Sequence, residues 1–282
     1  MIKIAFFAKF AKKTEEILRG QYFIIHHSSF LMSVTLLKSE RKDLIMRQVN
    51  IHTRVTFSDL STLTNVSEDT IRRDLNELAL EGRVIKVRGG AMVSTYHPTA
   101  LQAEVYALSS KQIIAQKALK LIQNGMYVLI GGGTTVRELI RMIPDSLKAT
   151  FVTVNPFTVM DLVEKPNVET IMIGGKISHY SRMAVGGNVI QKLSEIKADL
   201  CILGTNAINP TDGLMDSDWE SVQVKKAMIK SAEKTAILTI SEKLNSSMRL
   251  KIADWSEMDY LITELNPTDN QMKLYTEGVV LI

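Results

Sequence analysis

The chain has 282 residues, 45% of them apolar and 23% charged, which supports a real hydrophobic core and argues against wholesale disorder. Its one cysteine, Cys201, excludes an intrachain disulfide framework and suits a reducing, cytoplasmic setting; within the apolar run "DLCILG" it reads as buried filler. The formal charge is +4, but residues 1–39 carry six Lys/Arg against two Glu, so the remainder sums to zero and only local clustering can argue for nucleic acid.

The first residues are irregular. "MIKIAFFAKFAKK" breaks its apolar run with lysines, and "QYFIIHHSSFLMSVTLL" is short and holds His26-His27 with no Cys or acidic neighbour, so metal binding is not expected there. Neither stretch is long enough to cross a bilayer, and neither has the ordered parts of a secretory signal. Residues 1–39 are therefore expected to be an extension without a folded role, with Met32 the natural first residue.

From Glu40 the pattern becomes regular. "ERKDLIMRQV" places Leu44, Ile45 and Val49 at helical spacing, which predicts a first helix. In "RVTFSDLSTLT", Thr56 caps a second helix with Asp59 three residues on, and Leu60 and Leu63 form its apolar face. Asn65-Val66 makes a turn and Ser67 caps a third helix, on which Ile71, Leu75, Leu78 and Ala79 share one side. Arg73 lies nearly opposite, Asp69, Thr70 and Asn76 occupy the outer half, and Arg72 stands on a shoulder. Such a helix suits a major groove, where Arg reads guanine and Asn reads adenine, and its N-terminus favours phosphate. Gly82 ends the helix. Val84, Ile85 and Val87 then have strand propensity, Gly89-Gly90 turns the chain, and Arg83, Lys86 and Arg88 bring three positive charges with no acid among them. Either arginine alone would be an ordinary solvated charge. The whole set describes a helix-turn-helix with a basic wing.

The stretch "VSEDTIRRDLNELALEGRVIKVRGGAM" resembles the winged helix-turn-helix signature of the DeoR family of bacterial transcription regulators, through Thr70-Ile71-Arg72-Arg73-Asp74-Leu75 and Gly89-Gly90-Ala91. The resemblance implies a DNA-binding domain over residues 40–92 that grips double-stranded operator DNA through Ser67, Thr70, Arg72, Arg73, Asn76, Arg83, Lys86 and Arg88.

Residues 93–110 are polar, contain Pro98, and read as a linker that turns helical. Beyond it, "KQIIAQKALKLIQNG" predicts a helix, after which strands and helices alternate to the C-terminus. That alternation implies a mostly parallel sheet covered on both faces, with ligands at the carboxyl ends of the strands. "IGGGTTVREL" occupies such an end. Gly131 to Gly133 allow close backbone approach, Thr134 and Thr135 add hydroxyls, and the next helix aims N–H groups at an anion. The loop has neither a dinucleotide fingerprint nor a P-loop lysine, so no cofactor is expected. Alone it is equally a tight strand-to-helix turn. Asn155, Gly174-Gly175, Gly204-Thr205-Asn206, Asp218, Glu220, Lys225, Ser241 and Lys243 stand at or near other strand ends. Convergence of several on one rim would favour a small, polar, phosphorylated ligand. The Trp and Met residues read as core filler.

These motifs, in order from about Lys111 onward, resemble the DeoR-family effector domain, which is similar in fold to ribose-phosphate isomerase. The resemblance implies an α/β effector-binding domain over 111–282 that senses a sugar phosphate through Gly132, Gly133, Thr134, Thr135, Asn155, Gly174, Gly175, Thr205, Asn206, Glu220, Lys225 and Lys243. It further implies a homo-oligomer, dimer or tetramer, and repression of a carbohydrate-utilisation operon. No metal and no membrane partner are expected. The family's acids are missing at Gly131, Asn206 and Ile240, which speaks against catalysis. The alternative, a sugar-phosphate isomerase fused to a DNA-binding module, would have Glu220 and Asp218 as its carboxylate bases.

Overall fold

A computed structural model describes residues 36–52, 54–93 and 105–282. Residues 1–35 of the predicted extension, with His26-His27 and Met32, and most of the predicted linker lie outside the described residues, whereas Lys38 and Ser39, assigned to that extension, are in the first turn of a folded helix. Helix α1 (Lys38–His52) starts two residues before Glu40. It is followed by β1 (Arg54–Thr56), α2 (Phe57–Thr64), α3 (Glu68–Leu80) and the strands β2 (Val84–Val87) and β3 (Gly90–Val93). Thr56 Oγ1 accepts from Asp59 N to cap α2, and Ser67 Oγ accepts from Thr70 N to cap α3. Ile45, Val49, Leu60, Ile71, Leu75 and Leu78 are almost fully buried, and each such side chain contributes about 1.5–3 kcal/mol on burial. Leu63 departs from the expected apolar face: it is 49% exposed, and Thr64 takes the inward place with its hydroxyl bonded to Leu60 O. The three strands form a sheet in the order β1-β3-β2. Gly90 is required there, because a Cβ would collide with the Val55 carbonyl of β1.

Asp74, inside the "RRD" of the sequence signature, turns inward. Its carboxylate accepts from Arg41 Nε at 2.5 Å and Nη2 at 3.2 Å, a fork-to-fork pair that ties α3 to α1. Both residues are buried.

The larger part begins with α4 (Leu108–Leu119), β4 (Tyr127–Ile130), α5 (Thr134–Met142), β5 (Ala149–Thr153), α6 (Pro156–Leu162) and β6 (Val168–Met172). A small hairpin follows, β7 (Lys176–Ile177) and β8 (Ala184–Val185), then α7 (Gly187–Ser194), β9 (Ala198–Gly204), β10 (Ala207–Asn209) and β11 (Gly213–Asp216). The chain ends with α8 (Trp219–Lys230), β12 (Ala232–Leu238), β13 (Leu250–Ala253), β14 (Tyr260–Ile262) and β15 (Val280–Leu281). Seven of these strands form one sheet in the order β15-β14-β12-β9-β4-β5-β6, every neighbouring pair parallel.

The strand period decides which face each residue joins. Val128, Ile130, Phe151, Leu200 and Ile202 pack on one side with Ile114 and Ala118 of α4 and Leu139 of α5. Leu129, Val152, Cys201 and Leu203 pack on the other with Leu193 of α7 and Met228 of α8. Helices thus cover both faces, as a parallel sheet requires. Cys201 and Met228 are fully buried as expected, but Trp219 (65% exposed) and Met160 (64%) are surface residues. Two antiparallel pieces were not foreseen: the β7–β8 hairpin, and the sheet β10-β11-β13. Among the described residues no helix is long and apolar enough to cross a membrane.

Candidate functional site

The outer face of α3 and the β2–β3 wing carry the predicted DNA contacts. Ser67 and Thr70 have their hydroxyls 3.0 Å apart in the cap. Arg72 is steadied by Glu68 at 3.7 Å and by the Phe57 ring beneath its guanidinium at 4.9 Å. Arg73, Asn76, Lys86 and Arg88 are exposed, as is Arg83, 3.5 Å from Glu81. The recognition-helix arginines and the wing cations therefore face outward, free of the apolar core.

The second site lies where the sheet order reverses. The chain runs from β4 to β5 and β6 on one side, then returns to place β9 on the other flank of β4. Loops leaving β4 and β9 diverge at this point, which is where open α/β sheets hold ligands. A pocket there is lined by Gly131–Thr135 after β4, Asn155 after β5, Gly204–Asn206 after β9 and Thr239–Ile240 after β12. Gly133 has φ +114°, a backbone that side chains rarely adopt, and it starts α5 with no side-chain cap. A Cβ on Gly132 would collide with the Asn155 carboxamide. Asn155 Oδ1 caps α6 by accepting from Phe157 N and Thr158 N, which fixes its place beside the glycines.

Three lysines line the pocket: Lys111, Lys225 and Lys243. Lys243 Nζ donates to Thr205 O at 2.7 Å; burial, with Lys111 and Lys225 adding to it, pushes its ammonium down to about 7. Lys111 is pushed down to about 8 by burial, against the pull of Glu138 and Glu242. Opposite them stands one carboxylate, Asp216, which accepts from Lys225 Nζ at 2.5 Å and from Asn206 Nδ2 at 3.1 Å. Burial alone would raise Asp216, yet Lys225 and its other donors hold it below the ordinary aspartate value. Ser181 also lines the pocket, and its buried hydroxyl has no hydrogen-bond partner among the described residues. The pocket is cationic, with one carboxylate held in place and one buried hydroxyl left without a partner among the described residues.

Of the predicted effector residues, Gly132, Gly133, Thr134, Thr135, Asn155, Thr205, Asn206, Lys225 and Lys243 meet here. Gly174, Gly175 and Glu220 do not. A Cβ on Gly175 would lie 2.6 Å from Val189 Cγ2, so that glycine serves the packing of α7. Glu220 points to the surface and pairs with Lys176 at 3.0 Å. Asp218 caps α8, its Oδ2 accepting from Ser221 N and Oγ. The carboxylate in the pocket is thus Asp216, not Glu220 or Asp218. Lys111, Tyr180, Ser181, Tyr106 and Asn50 were also unforeseen as pocket residues.

The family model described as the DeoR C terminal sensor domain matches residues 107–265, and that of the DeoR-like helix-turn-helix domain matches residues 41–96. The chain belongs to the DeoR family. Within it, the chain is 31% identical over 234 residues to the HTH-type transcriptional repressor GlcR of Bacillus subtilis, covering 82% of this chain and 90% of that one. It is 29% identical over 251 residues to the HTH-type transcriptional regulator GlpR of Haloferax volcanii, covering 88% and 98%. Among solved structures, a D-ribose-5-phosphate isomerase aligns with a TM-score of 0.36 at 16% identity, over 48% of this chain and 52% of that one, a slight likeness. This DeoR-family chain is a DNA-binding transcriptional regulator with a sensor domain, and its winged helix and strand-end pocket occupy the two matched segments.

Proposed function

We propose that this DeoR-family regulator represses a carbohydrate-utilisation operon and is released by a phosphorylated sugar held at the β4–β9 switch point. The observation that carries the reading is the meeting of Lys111, Lys225 and Lys243 with the Gly132–Thr135 turn. The turn offers backbone N–H groups and the lysines offer charge, which together suit a phosphate. Asp216 and Ser181 supply the acceptor and hydroxyl that sugar hydroxyls need. The match to the DeoR C terminal sensor domain, whose family resemblance implies a sugar phosphate, supports a carbohydrate effector. The protein acts in the cytoplasm as a homo-oligomer, a dimer or tetramer, which two-fold operators favour. Phe157, Met160 and Val163, exposed together on and beside α6, give it an apolar patch to bury. It senses its ligand without turning it over.

A thermal-shift screen of pentose and hexose phosphates tests this. At 100 times its Kd a true effector stabilises the native state by about 2.7 kcal/mol. The expected result is that one phosphosugar raises Tm, releases operator DNA, and is recovered unchanged, while its unphosphorylated parent does neither. A panel with no stabilising member would sink the reading.

Operator binding gives a second prediction. Arg73→Ala is expected to lose about 1–3 kcal/mol of specific affinity, measured by fluorescence anisotropy at fixed salt. Lys86→Ala should instead weaken specific and non-specific DNA alike and flatten the salt dependence. Equal operator affinity for Arg73→Ala and wild type would remove Arg73 from the reading head.

A further inference from the structure

The effector pocket is not built by the sensor domain alone. Asn50, near the end of α1 in the DNA-binding module, lines it directly. Three more contacts join the same module to the loops that form the pocket. His52 Nδ1 lies 3.1 Å from Asn206 O, in the loop after β9. Arg47 Nη2 lies 3.0 Å from Glu242 Oε2, and Glu242 sits immediately before Lys243. The Arg54 guanidinium of β1 stands over the Tyr180 ring at 5.1 Å, and Tyr180 is a pocket residue whose hydroxyl is 2.6 Å from Ser217 Oγ, next to Asp216.

These contacts share a property. Each lands on, or one residue from, a group that lines the pocket: Asn206, Lys243, Tyr180. A rigid tether would bind anywhere on the sensor surface. Here docking of the module and filling of the pocket use the same short loops, the arrangement through which one can bias the other. Burial lowers the His52 imidazole from its ordinary value, so the ring sits in this interface as a neutral hydrogen-bonding group rather than as a charge.

The geometry points to Asn50 as an effector-contacting residue supplied by the DNA-binding module, with Arg47–Glu242, His52–Asn206 and Arg54–Tyr180 holding that wall in place. The inference rests on the phosphosugar reading of the pocket. Ligand binds the docked arrangement more tightly because only that arrangement presents Asn50. Occupancy therefore draws the module onto the sensor domain and changes how α3 can be offered to DNA. By linkage, operator DNA that requires an undocked module lowers ligand affinity by the same factor.

The test uses the full chain and inorganic phosphate, which needs no knowledge of the sugar. Hydrogen exchange with and without saturating phosphate is expected to show slowing at residues 131–135 and also at 47–52. Asn50→Asp, which sets a carboxylate against the bound anion, is expected to weaken phosphate at least tenfold while ligand-free operator affinity stays within twofold. Glu242→Arg adds positive charge near the pocket yet breaks the dock, so phosphate binding should weaken rather than strengthen. Arg47→Glu combined with Glu242→Arg should recover most of it. Slowing confined to 131–135, with Asn50→Asp binding phosphate as wild type does, overturns the inference and leaves the proposed function standing. Absence of phosphate binding to the wild-type chain overturns both.

Discussion

Asp74→Ala is expected to lower stability by about 3–5 kcal/mol, the loss that follows when one member of a buried ion pair is removed. The carboxylate is 1% exposed and accepts two N–H groups of the Arg41 guanidinium, itself 8% exposed. Its removal takes from Arg41 the anion that made a buried guanidinium tolerable. The hydrogen bond that Arg41 donates to Asp74 is also the largest influence raising the Arg41 pKa above its already high value, so Arg41 will not shed its proton instead. Asp74→Asn keeps the shape and one acceptor and should cost less, about 1–3 kcal/mol. Arg41→Met with Asp74→Leu, which removes both charges, should come close to wild type. Urea unfolding followed by the helical signal measures all three. A loss below 1 kcal/mol for Asp74→Ala, using the 1 kcal/mol of an ordinary single substitution as the yardstick, would mean that the pair is not what holds α3 to α1. Because α3 carries Arg73 and Asn76, a loosened pair should also weaken operator binding at temperatures well below Tm.

The pair shows where sequence reasoning reaches and where it stops. The caps Thr56 and Ser67, the Ile71/Leu75/Leu78 stripe and the wing glycines are local signals, and all are found where the spacing places them. Asp74 was legible only as part of a motif, since its partner lies 33 residues away. The same distinction divides the pocket. Gly132 to Thr135 follow a strand and open a helix, a pattern visible in one stretch of sequence. Asp216 ends β11, a short strand of a satellite sheet whose segment "NPTDGLMD" looks like plain loop. Tyr180 and Ser181 come from a turn between two-residue strands, with Arg182 at φ +56° bending the backbone there. Glu220 illustrates the opposite error. A charged residue at a strand-to-helix junction was expected to face the ligand, but helix period turns it to solvent, where Lys176 meets it. Asn50 had no local signal at all, because only the docking of α1 brings it to the pocket.

Asp216 also bears on the question of turnover. The family's usual acids are absent at Gly131, Asn206 and Ile240, yet the pocket keeps one carboxylate, delivered from β11 and bonded to Asn206 itself. Lys225 and its other donors keep Asp216 ionised and occupied. A group with both oxygens engaged is better suited to fixing ligand hydroxyls and orienting Lys225 than to lifting a proton from carbon, which asks for a free base within reach of that proton.

Lys243→Met is expected to abolish most ligand binding while stabilising the empty protein. In the unfolded chain Lys243 titrates near the ordinary lysine value, about 10.4. In the native pocket its pKa falls to about 7, chiefly through burial. The unfolded state thus binds more protons between those values, and wild-type stability should rise with pH across that window. Methionine keeps the apolar stem and removes a cost of about 1.4 kcal/mol per pH unit of that fall, less about 1 kcal/mol for the lost bond to Thr205 O, so the ligand-free variant should gain about 1–4 kcal/mol at pH 7. Binding responds in the opposite sense. A bound phosphate favours the ammonium and raises its pKa, so affinity is greatest between the phosphate's second ionisation, at about 6, and about 7, and falls as pH climbs toward the higher value of the complex. A sugar phosphate is already dianionic at pH 8, its second ionisation lying near about 6, so the proton taken up on binding must go to the protein. Titration calorimetry at pH 8 in two buffers of different ionisation enthalpy reads that proton directly. The methionine variant should lose the share of uptake that Lys243 supplies, keep the smaller share of Lys111, and lose about 1.5–3 kcal/mol of affinity, the worth of one charged hydrogen bond. Undiminished affinity in the variant, or proton uptake equal to that of the wild type, would move the phosphate away from this lysine and onto Lys111 and Lys225, the other cations of the pocket.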